Sequence, residues 1–289
     1  MESRNPVFRR NEAFSNKGGY ASFDARGGSG AQPQQGYPQQ GYPQQDSPYA
    51  PPMTPQDMET IYSSPPATPV QMGRMTIDDV VMRTAMIFGV LLLTAVPTFF
   101  LLQPQTLGLV LVSGLAAFGV AMAISFGKKV RPALILVYAA LEGVFVGGIS
   151  FMYSQVWSGI VPQAVLGTLG AFTGMLLLYR SGKFRVTPKF QRVMLMALVG
   201  YVIFGFVNLA LSLFSGWNVY TSPLGWLVAG FGVVFASVFL MLDFNAIEQG
   251  IRNGAPQQYA WLAAWGLVVT LVWLYLEILR LLAILRGNN

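Results

Sequence analysis

The chain has 289 residues and carries 18 lysines and arginines against 12 aspartates and glutamates, which gives a formal net charge of +6. Apolar residues make up 53% and charged residues only 10%, whereas soluble domains carry about 25% charged residues, so the composition is that of a membrane protein. The sequence contains no cysteine and no histidine, which excludes disulfides, zinc sites built from these residues, thiol catalysis and a Ser-His-Asp triad.

The first 74 residues differ in composition from the rest of the chain, because proline, glutamine, glycine and serine dominate them. They contain the short repeat QQGYPQQGYPQQ, and their six basic and six acidic residues cancel in charge. Such a segment cannot bury enough apolar surface to offset the entropy lost on ordering, so we predict a disordered cytoplasmic tail over residues 1–74. This tail is expected to act as a spacer or as a docking segment for a cytosolic partner.

Long apolar runs fill the chain after this tail. A helix that spans a membrane needs about 20 such residues. A soluble helical protein could contain one or two runs of this length, but not seven in series. We therefore predict an all-α integral membrane protein with a transmembrane domain of seven helices over residues 75–289. The predicted spans cover residues 80–102, 106–126, 132–152, 161–179, 193–215, 224–243 and 261–285.

The connections between these spans alternate in charge. GKKVRP contains Lys128, Lys129 and Arg131, and RSGKFRVTPKFQR is also basic, whereas QPQT, SQVWSGIVPQ and SGWNVYTSP carry no charge. By the positive-inside rule, this pattern predicts a multi-pass protein of the plasma membrane with its N-terminus in the cytoplasm. Seven crossings place the C-terminus outside, where Arg280 and Arg286 would face outward. A last segment that re-enters the membrane is the alternative.

This topology also accounts for the basic isoelectric point of about 9.6. Binding of nucleic acid would need a basic face on a folded soluble module, and the sequence offers none. We therefore expect the lipid bilayer, and no nucleic acid, as a partner. The basic segment RSGKFRVTPKFQR is expected to meet anionic lipid headgroups.

Small residues recur at three- or four-residue spacing in two spans. Gly143 and Gly147 share one predicted helix, and Gly167, Gly170 and Gly174 share the next. Glycines at this spacing let two membrane helices approach closely. We expect these residues to pack the bundle and to carry no chemistry.

Six acidic residues follow the tail, and three of them are predicted at membrane depth. Asp78 and Asp79 precede the first span, where they can cap a helix start. Glu248 is predicted in water, in the connection after the sixth span. The three acids at membrane depth are Glu142, Asp243 and Glu277.

The depths of these three acids follow from the helical rise. Glu142 lies about 15 Å past Pro132, and Glu277 lies about 18 Å past Trp265, which we take as the inner membrane interface. Asp243 is predicted at the cytoplasmic end of the sixth span. A charged side chain at the middle of a span costs about 2.5–3.5 kcal/mol on insertion scales, so three such acids favour a functional acidic path inside the bundle.

Each of the three acids also has a purely structural interpretation. Glu277 shares a helix face with Arg280, three residues on, and the two can form an ion pair. Glu142 can stay protonated and bond to a neighbouring helix, and Asp243 can lie in water at a helix end. Asp243 can also pair with a basic residue, for which the candidates are Lys128, Lys129 and Arg131.

Three motifs around these acids resemble one known family. YAALEGVFVGG in the third span, FLMLDFNAIEQG after the sixth and LVWLYLEILRLLAIL in the seventh are similar to motifs of the Bax inhibitor-1 (YccA) superfamily, the transmembrane BAX inhibitor motif family. NPVF near the N-terminus and MTIDDVVMRTA before the first span resemble actinobacterial members. The resemblance covers residues 74–289.

The resemblance implies a seven-helix bundle whose last helix lies centrally among two groups of three. It also implies a pH-sensitive calcium leak, in which an acid at the end of the sixth helix shares a proton with an acid in the seventh. Matched by motif, these acids are Asp243 and Glu277, and Glu142 is the acidic position of the LEG motif. In this chain the second acid is a glutamate rather than an aspartate, and thirty-four residues separate it from Asp243, more than the family pattern leads us to expect.

The resemblance, together with the acids at membrane depth, leads us to expect a pH-sensitive cation leak channel. Two carboxylates held close together cannot both ionise readily, so a proton shared by Asp243 and Glu277 would close the path at low pH, and their repulsion would open it at higher pH. Glu142, Asp243 and Glu277 would line the path and bind calcium transiently, because three acids cannot supply the roughly six to eight oxygens of a tight site. No cofactor, tight metal site or catalytic residue is expected.

Two other functions stay open at this point. A regulator would bind another membrane protein, such as a quality-control protease, through the tail or the bundle. A proton-coupled transporter would move a substrate saturably under a pH gradient. An intramembrane aspartyl protease is disfavoured, because the sequence shows no paired YD and GLGD-like motifs.

Overall fold

The computed structural model describes residues 72–103, 107–182 and 186–287. Seven helices in these ranges are each long and apolar enough to span a membrane, which confirms the predicted fold class. The tail predicted over residues 1–74 lies almost wholly outside the described residues. In chain order the helices are α1 (Ile77–Leu101), α2 (Leu107–Ser125), α3 (Pro132–Val156), α4 (Ile160–Arg180), α5 (Pro188–Ser215), α6 (Gly225–Arg252) and α7 (Ala260–Gly287), with short 3₁₀ turns at Val219–Thr221 and Gln257–Tyr259.

The first helix begins with a reciprocal pair of capping bonds. The Thr76 hydroxyl accepts a hydrogen bond from the Asp79 backbone N–H at 3.2 Å, and the Asp79 carboxylate accepts one from the Thr76 backbone N–H at 3.1 Å. This capping box satisfies N–H groups that a helix start otherwise leaves unpaired. The prediction that Asp79 caps the first helix is confirmed.

The last helix lies at the centre of the bundle. It packs against α1, α3, α4 and α6, and 56% of its most apolar stretch is buried. The corresponding stretch of α5 is only 6% buried, and Asn208 is the one buried residue in that helix, all of whose residues are described. Because side chains at the bundle centre meet other helices rather than lipid, α7 is where polar groups can find protein partners.

Two glycines allow α1 and α3 to lie in close contact. A Cβ atom added at Gly143 would lie 2.3 Å from the Leu91 carbonyl oxygen, and one added at Gly147 would lie 2.4 Å from the carbonyl oxygen of Ala95. No side chain fits in these positions, so the packing role predicted for Gly143 and Gly147 is confirmed. The same prediction is wrong for two glycines of α4 that have open space at the Cβ position, namely Gly170 and Gly174.

The segment that leads into α1 is bound to the connection between α6 and α7. The backbone N–H of Met75 donates to the Ala255 carbonyl at 2.8 Å, and that of Gln257 donates to the Gly73 carbonyl at 2.8 Å. The Gln257 side chain also donates to the Asp79 carboxylate at 2.7 Å. We call these contacts the N-terminal strap, and we call this end of the bundle, which also carries the basic α2–α3 connection, the inner end.

The last helix ends at the opposite, outer end of the bundle. Arg286 donates to the Ser158 carbonyl oxygen and to the Gln163 side chain, both at 2.8 Å, and these two residues belong to the uncharged SQVWSGIVPQ segment. The helix runs without a break over Ala260–Gly287. The described chain therefore crosses the bundle seven times, and a re-entrant last segment is not needed.

The sixth helix is longer than the sequence predicts. It continues for nine residues past Asp243 and ends at Arg252, in a stretch that was predicted as a connection. Phe244 is buried, and Glu248 accepts hydrogen bonds from Tyr179 and Arg252, so this stretch is helical rather than a connection. The Glu248 side chain is still 41% exposed, as its predicted contact with water requires. The expectation that Asp243 lies at the helix end is wrong, because it lies about 13 Å before that end.

Candidate functional site

Glu277 lies inside the bundle, ten residues before α7 ends, which is about 15 Å from the outer end. Only 3% of this residue is exposed. The guanidinium nitrogen Nη1 of Arg280 donates to both of its carboxylate oxygens, each at 2.9 Å. The sequence allowed either Asp243 or Arg280 as the partner of Glu277, and in this structure the partner is Arg280.

Two further donors and one glycine complete the surroundings of Glu277. Tyr201 of α5 donates its hydroxyl to Oε1 at 2.7 Å, and the indole N–H of Trp273 donates to the same oxygen at 3.2 Å. Gly232 of α6 leaves room for the carboxylate, because a Cβ atom there would lie 2.6 Å from Oε2. A buried charge is tolerated when it is both paired and hydrogen-bonded, and Glu277 meets both conditions.

Tyr220 covers Arg280 from the connection between α5 and α6. The guanidinium lies 4.4 Å from the centre of the Tyr220 ring and donates to its hydroxyl at 3.2 Å. Asn208 accepts from the Val219 backbone N–H at 2.9 Å, and Asn218 accepts from the Tyr220 backbone N–H at 2.9 Å, which fixes this connection. The ring and the hydroxyl together hold the cation beside the acid. We call Tyr201, Tyr220, Trp273, Glu277 and Arg280 the outer cluster.

Asp243 has fewer partners than Glu277. Thr270 of α7 lies beside its side chain, and the Thr270 hydroxyl donates to the Gly266 carbonyl oxygen at 3.2 Å. Its oxygen Oδ2 is buried and has no partner among the residues that the structure describes. Since buried polar atoms in proteins are nearly always bonded to protein, water or an ion, Oδ2 marks an open bonding position.

Glu142 lies in the same, inner half of the bundle. It stands ten residues after α3 begins, and its side chain lies beside that of Tyr138, one turn earlier in the helix. The Tyr138 ring packs edge-to-face against Trp265, with ring centres 5.8 Å apart. Two more buried atoms lack a partner within the described residues, namely Trp265 Nε1 and Thr84 Oγ1. We call Thr84, Tyr138, Glu142, Asp243, Trp265 and Thr270, which all lie in the inner halves of their helices, the inner cluster.

The two clusters lie at different depths. Thr270, which lies beside Asp243, precedes Glu277 by seven residues of α7, or about 10 Å along the helix axis. Gly232, which lies beside Glu277, precedes Asp243 by eleven residues of α6, or about 16 Å. The carboxyls of Asp243 and Glu277 are therefore two to three helical turns apart, and they share no proton in this conformation.

The basic residues suggested as partners of Asp243 stay at the surface. Lys128, Lys129 and Arg131 are exposed in the α2–α3 connection. In the described part of the chain, none of these three residues takes part in a salt bridge. In the same ranges, no three acidic side chains stand close enough together to hold a metal ion.

The sequence pointed to the acids but missed the aromatic residues around them. Trp273 stands four residues before Glu277, a spacing that puts both on one helix face and could have indicated their contact. Tyr201 lies 76 residues from Glu277, and Tyr220 lies 60 residues from Arg280. No spacing rule connects residues so far apart, because their meeting depends on how α5 docks.

Comparison with known proteins gives one match. A family model described as Bax inhibitor 1 like matches residues 5–287, which is nearly the whole chain and includes both clusters. No curated protein and no solved structure matches the chain.

Proposed function

Because this chain belongs to the Bax inhibitor-1-like family of multi-pass membrane proteins, we propose that it is a pH-sensitive cation leak channel that passes calcium. In this proposal it conducts and does not catalyse, and it holds no cofactor. The positive-inside rule orients it in the plasma membrane with the inner end and the N-terminal tail in the cytoplasm.

The open bonding position of Asp243 carries this proposal. Its Oδ2 is buried in the middle of a membrane-spanning bundle and has no partner among the described residues. An ionisable residue in a membrane span is expensive and is usually retained for function. A carboxylate oxygen that no protein group saturates can receive water, a proton or a cation, and all three belong to an ion path.

Calcium fits the chemistry of the inner cluster. Carboxylate and hydroxyl oxygens, such as those of Glu142, Asp243 and Thr270, are the ligands that calcium prefers. Two acids fall short of the full set of oxygens that a tight calcium site supplies. Weak, transient coordination follows, and permeation requires an ion that can leave as readily as it enters.

The pH dependence in this proposal comes from the same acids. At low pH Asp243 and Glu142 are protonated and neutral, so they attract no cation and the helices close on a dry interior. At higher pH they ionise, and their charge draws water and cations into the bundle. Calcium flux is therefore expected to rise with pH.

A proton shared by Asp243 and Glu277 belongs, in this proposal, to a second conformation. Arg280 would first release Glu277, and α6 and α7 would slide until the two carboxyls meet. The pair would then titrate as one unit and hold the path closed. The conformation described here is the one in which each acid has separate partners.

Calcium entry into liposomes that contain the purified full-length chain tests the proposal across a series of pH values. Wild-type flux should rise with pH, and both Asp243→Asn and Glu142→Gln should flatten this rise while reducing the flux several-fold. Glu277→Gln should also change the pH profile. The matched control is Glu248→Gln, an acid of α6 beyond the inner cluster, which should conduct as wild type does.

The proposal is wrong if wild-type liposomes admit no more calcium than protein-free liposomes at any pH. It is also wrong if Asp243→Asn leaks with an unchanged pH dependence. Saturable uptake of a solute driven by a pH gradient would identify a transporter instead.

A role as a regulator of another membrane protein is the second candidate, and the N-terminal strap favours it. The strap ties residues 73–75 to residues 255–257, which follow the end of α6. A partner that pulls on the tail would therefore act on the helix that carries Asp243. Affinity capture with the full chain and with a chain that lacks residues 1–71, which keeps the strap, decides this. A partner lost with the tail supports the regulator, whereas tail-independent calcium flux with no such partner supports the channel alone.

A further inference from the structure

We propose that Arg280 is a tethered cation that occupies Glu277 at rest, and that a permeant cation reaches this acid only by displacing the guanidinium. The inference rests on the proposed conduction path and adds what controls access to its outer half. It makes Arg280 and Tyr220 positioning residues of the channel.

The ion pair itself gives the first argument. One nitrogen of Arg280 binds both oxygens of Glu277 at 2.9 Å, so the guanidinium takes the place in which a free cation would bind. The Glu277 side chain is 4% exposed and that of Arg280 is 31% exposed, so the arginine lies between the acid and the surroundings. Because both residues belong to one helix, the tethered guanidinium competes at a high effective concentration.

Tyr220 provides a second binding position for the Arg280 side chain after it is displaced. The guanidinium already lies 4.4 Å from the centre of its ring and within 3.2 Å of its hydroxyl. Both contacts can persist after the ion pair with Glu277 breaks, so the guanidinium keeps Tyr220 as a partner. A cation over an aromatic face is stabilised more when it is shielded from water, and both Tyr220 and Arg280 are partly buried.

The acid stays in place when Arg280 leaves. Tyr201 and Trp273 still donate to Oε1 at 2.7 and 3.2 Å, and neither bond involves the arginine. Among the contacts described above, Oε2 then has no hydrogen-bond donor, and an incoming cation can bind to it. The carboxylate is thus held ready for a hard cation, which prefers oxygen ligands.

Terbium luminescence tests this directly, because Trp273 lies beside the acid and can sensitise a bound terbium ion. Purified full-length protein is titrated with Tb³⁺, which stands in for calcium, under excitation of tryptophan. Arg280→Gln should bind Tb³⁺ about tenfold more tightly than wild type, which corresponds to about 1.4 kcal/mol. The double variant Glu277→Gln with Arg280→Gln keeps both side-chain sizes and should lose this gain.

Two more variants separate displacement from a merely structural pair. Arg280→Lys retains the charge but binds as a point charge, so its Tb³⁺ affinity should lie between those of wild type and Arg280→Gln. In the liposome assay, Arg280→Gln should raise calcium flux. Tyr220→Leu should lower it, because the displaced Arg280 side chain loses its second binding position. A structural pair would move both variants in the same direction.

Failure of the tethered-cation proposal can be distinguished from failure of the channel proposal. If Arg280→Gln binds Tb³⁺ no better than the double variant, the tethered cation is ruled out even when wild type conducts. If wild-type liposomes pass no calcium, the channel proposal fails, and the luminescence result still decides whether Arg280 shields Glu277. Should Arg280→Gln not elute as a folded protein in size exclusion, Arg280→Lys is judged by the same criterion.

Discussion

The inner and outer clusters both contain buried carboxylates, but these carboxylates differ in how completely protein groups bind them. In the outer cluster every oxygen of Glu277 has a donor, and Arg280 neutralises its charge. In the inner cluster Thr270 lies beside the Asp243 side chain, and Asp243 Oδ2 is buried without a hydrogen-bond partner among the described residues. One acid is therefore bound to protein and the other is open to water or ions.

This difference separates two uses of charge in a membrane. A saturated ion pair holds helices together and also resists any ion that approaches it. An unsaturated acid adds little to stability and is available to a mobile partner. The position of each acid agrees with this division, because Glu277 lies on the central helix α7, while Asp243 lies on α6 facing that helix.

The largest expected effect on stability comes from exchanging Glu277 for its amide. Glu277→Gln leaves Arg280 without a counter-charge, and breaking a buried pair costs about 3–5 kcal/mol. Since the arginine side chain is 31% exposed, we expect the lower end, about 3 kcal/mol. Thermal unfolding of the purified protein measures this loss of stability.

Asp243→Asn is the matched exchange in the inner cluster. It removes a charge that no basic residue in the described ranges neutralises, so stability should change by less than about 1 kcal/mol or should increase. Equal destabilisation by the two amides would show that both acids are saturated, and the contrast between the clusters would collapse.

A smaller loss is expected when the room beside Glu277 is filled. In Gly232→Ala the new Cβ atom would lie 2.6 Å from Glu277 Oε2 and 2.8 Å from the Tyr201 hydroxyl, so the outer cluster must shift. Overpacking of this kind costs about 1–3 kcal/mol. The same unfolding measurement applied to Gly230→Ala serves as the control, because nothing lies within 4 Å of that Cβ position. Equal behaviour of the two alanines would mean that the carboxylate does not need the space at Gly232.

The helices and the acids could be predicted from the sequence, because apolar length and an isolated charge are local properties. The end of α6 was placed too early, because the apolar run in the sequence stops at Asp243. The helix itself continues to Arg252 and is terminated by Gly254, which has a φ of 65°. The NG pair at residues 253–254 showed that stop in the sequence. The choice of Arg280 over Asp243 as the partner of Glu277 depends on helix length and docking, which no local pattern encodes.

The hydroxyl of Tyr201 connects α5, the least buried of the seven described helices, to the central helix α7. Its removal should lower stability moderately. Tyr201→Phe deletes a 2.7 Å hydrogen bond to Glu277, which retains Arg280, and should cost about 1 kcal/mol. It should also loosen α5. The chain has no cysteine, so spin labels can be placed at Ser215 on α5 and Ser158 before α4, and their distance distribution should broaden.

Tyr275→Phe is the control for this loosening. It deletes a hydrogen bond of 2.7 Å to Ser150, which joins α7 to α3 and does not involve α5. A similar loss of stability with an unchanged distance distribution is expected. If both variants broaden the distribution alike, Tyr201 is not what holds α5.

The smallest effect should come from the inner cluster, where Thr84 Oγ1 is buried without a partner among the described residues. Thr84→Val keeps the shape and removes the hydroxyl, so no protein hydrogen bond is lost and unfolding should shift by less than about 0.5 kcal/mol. Thr270→Val, which deletes the hydroxyl that donates to the Gly266 carbonyl oxygen at 3.2 Å, should cost about 1 kcal/mol. A loss at Thr84→Val as large as that at Thr270→Val would mean that Thr84 bonds to protein. Among the described residues, the inner cluster would then contain two rather than three buried polar atoms without a partner.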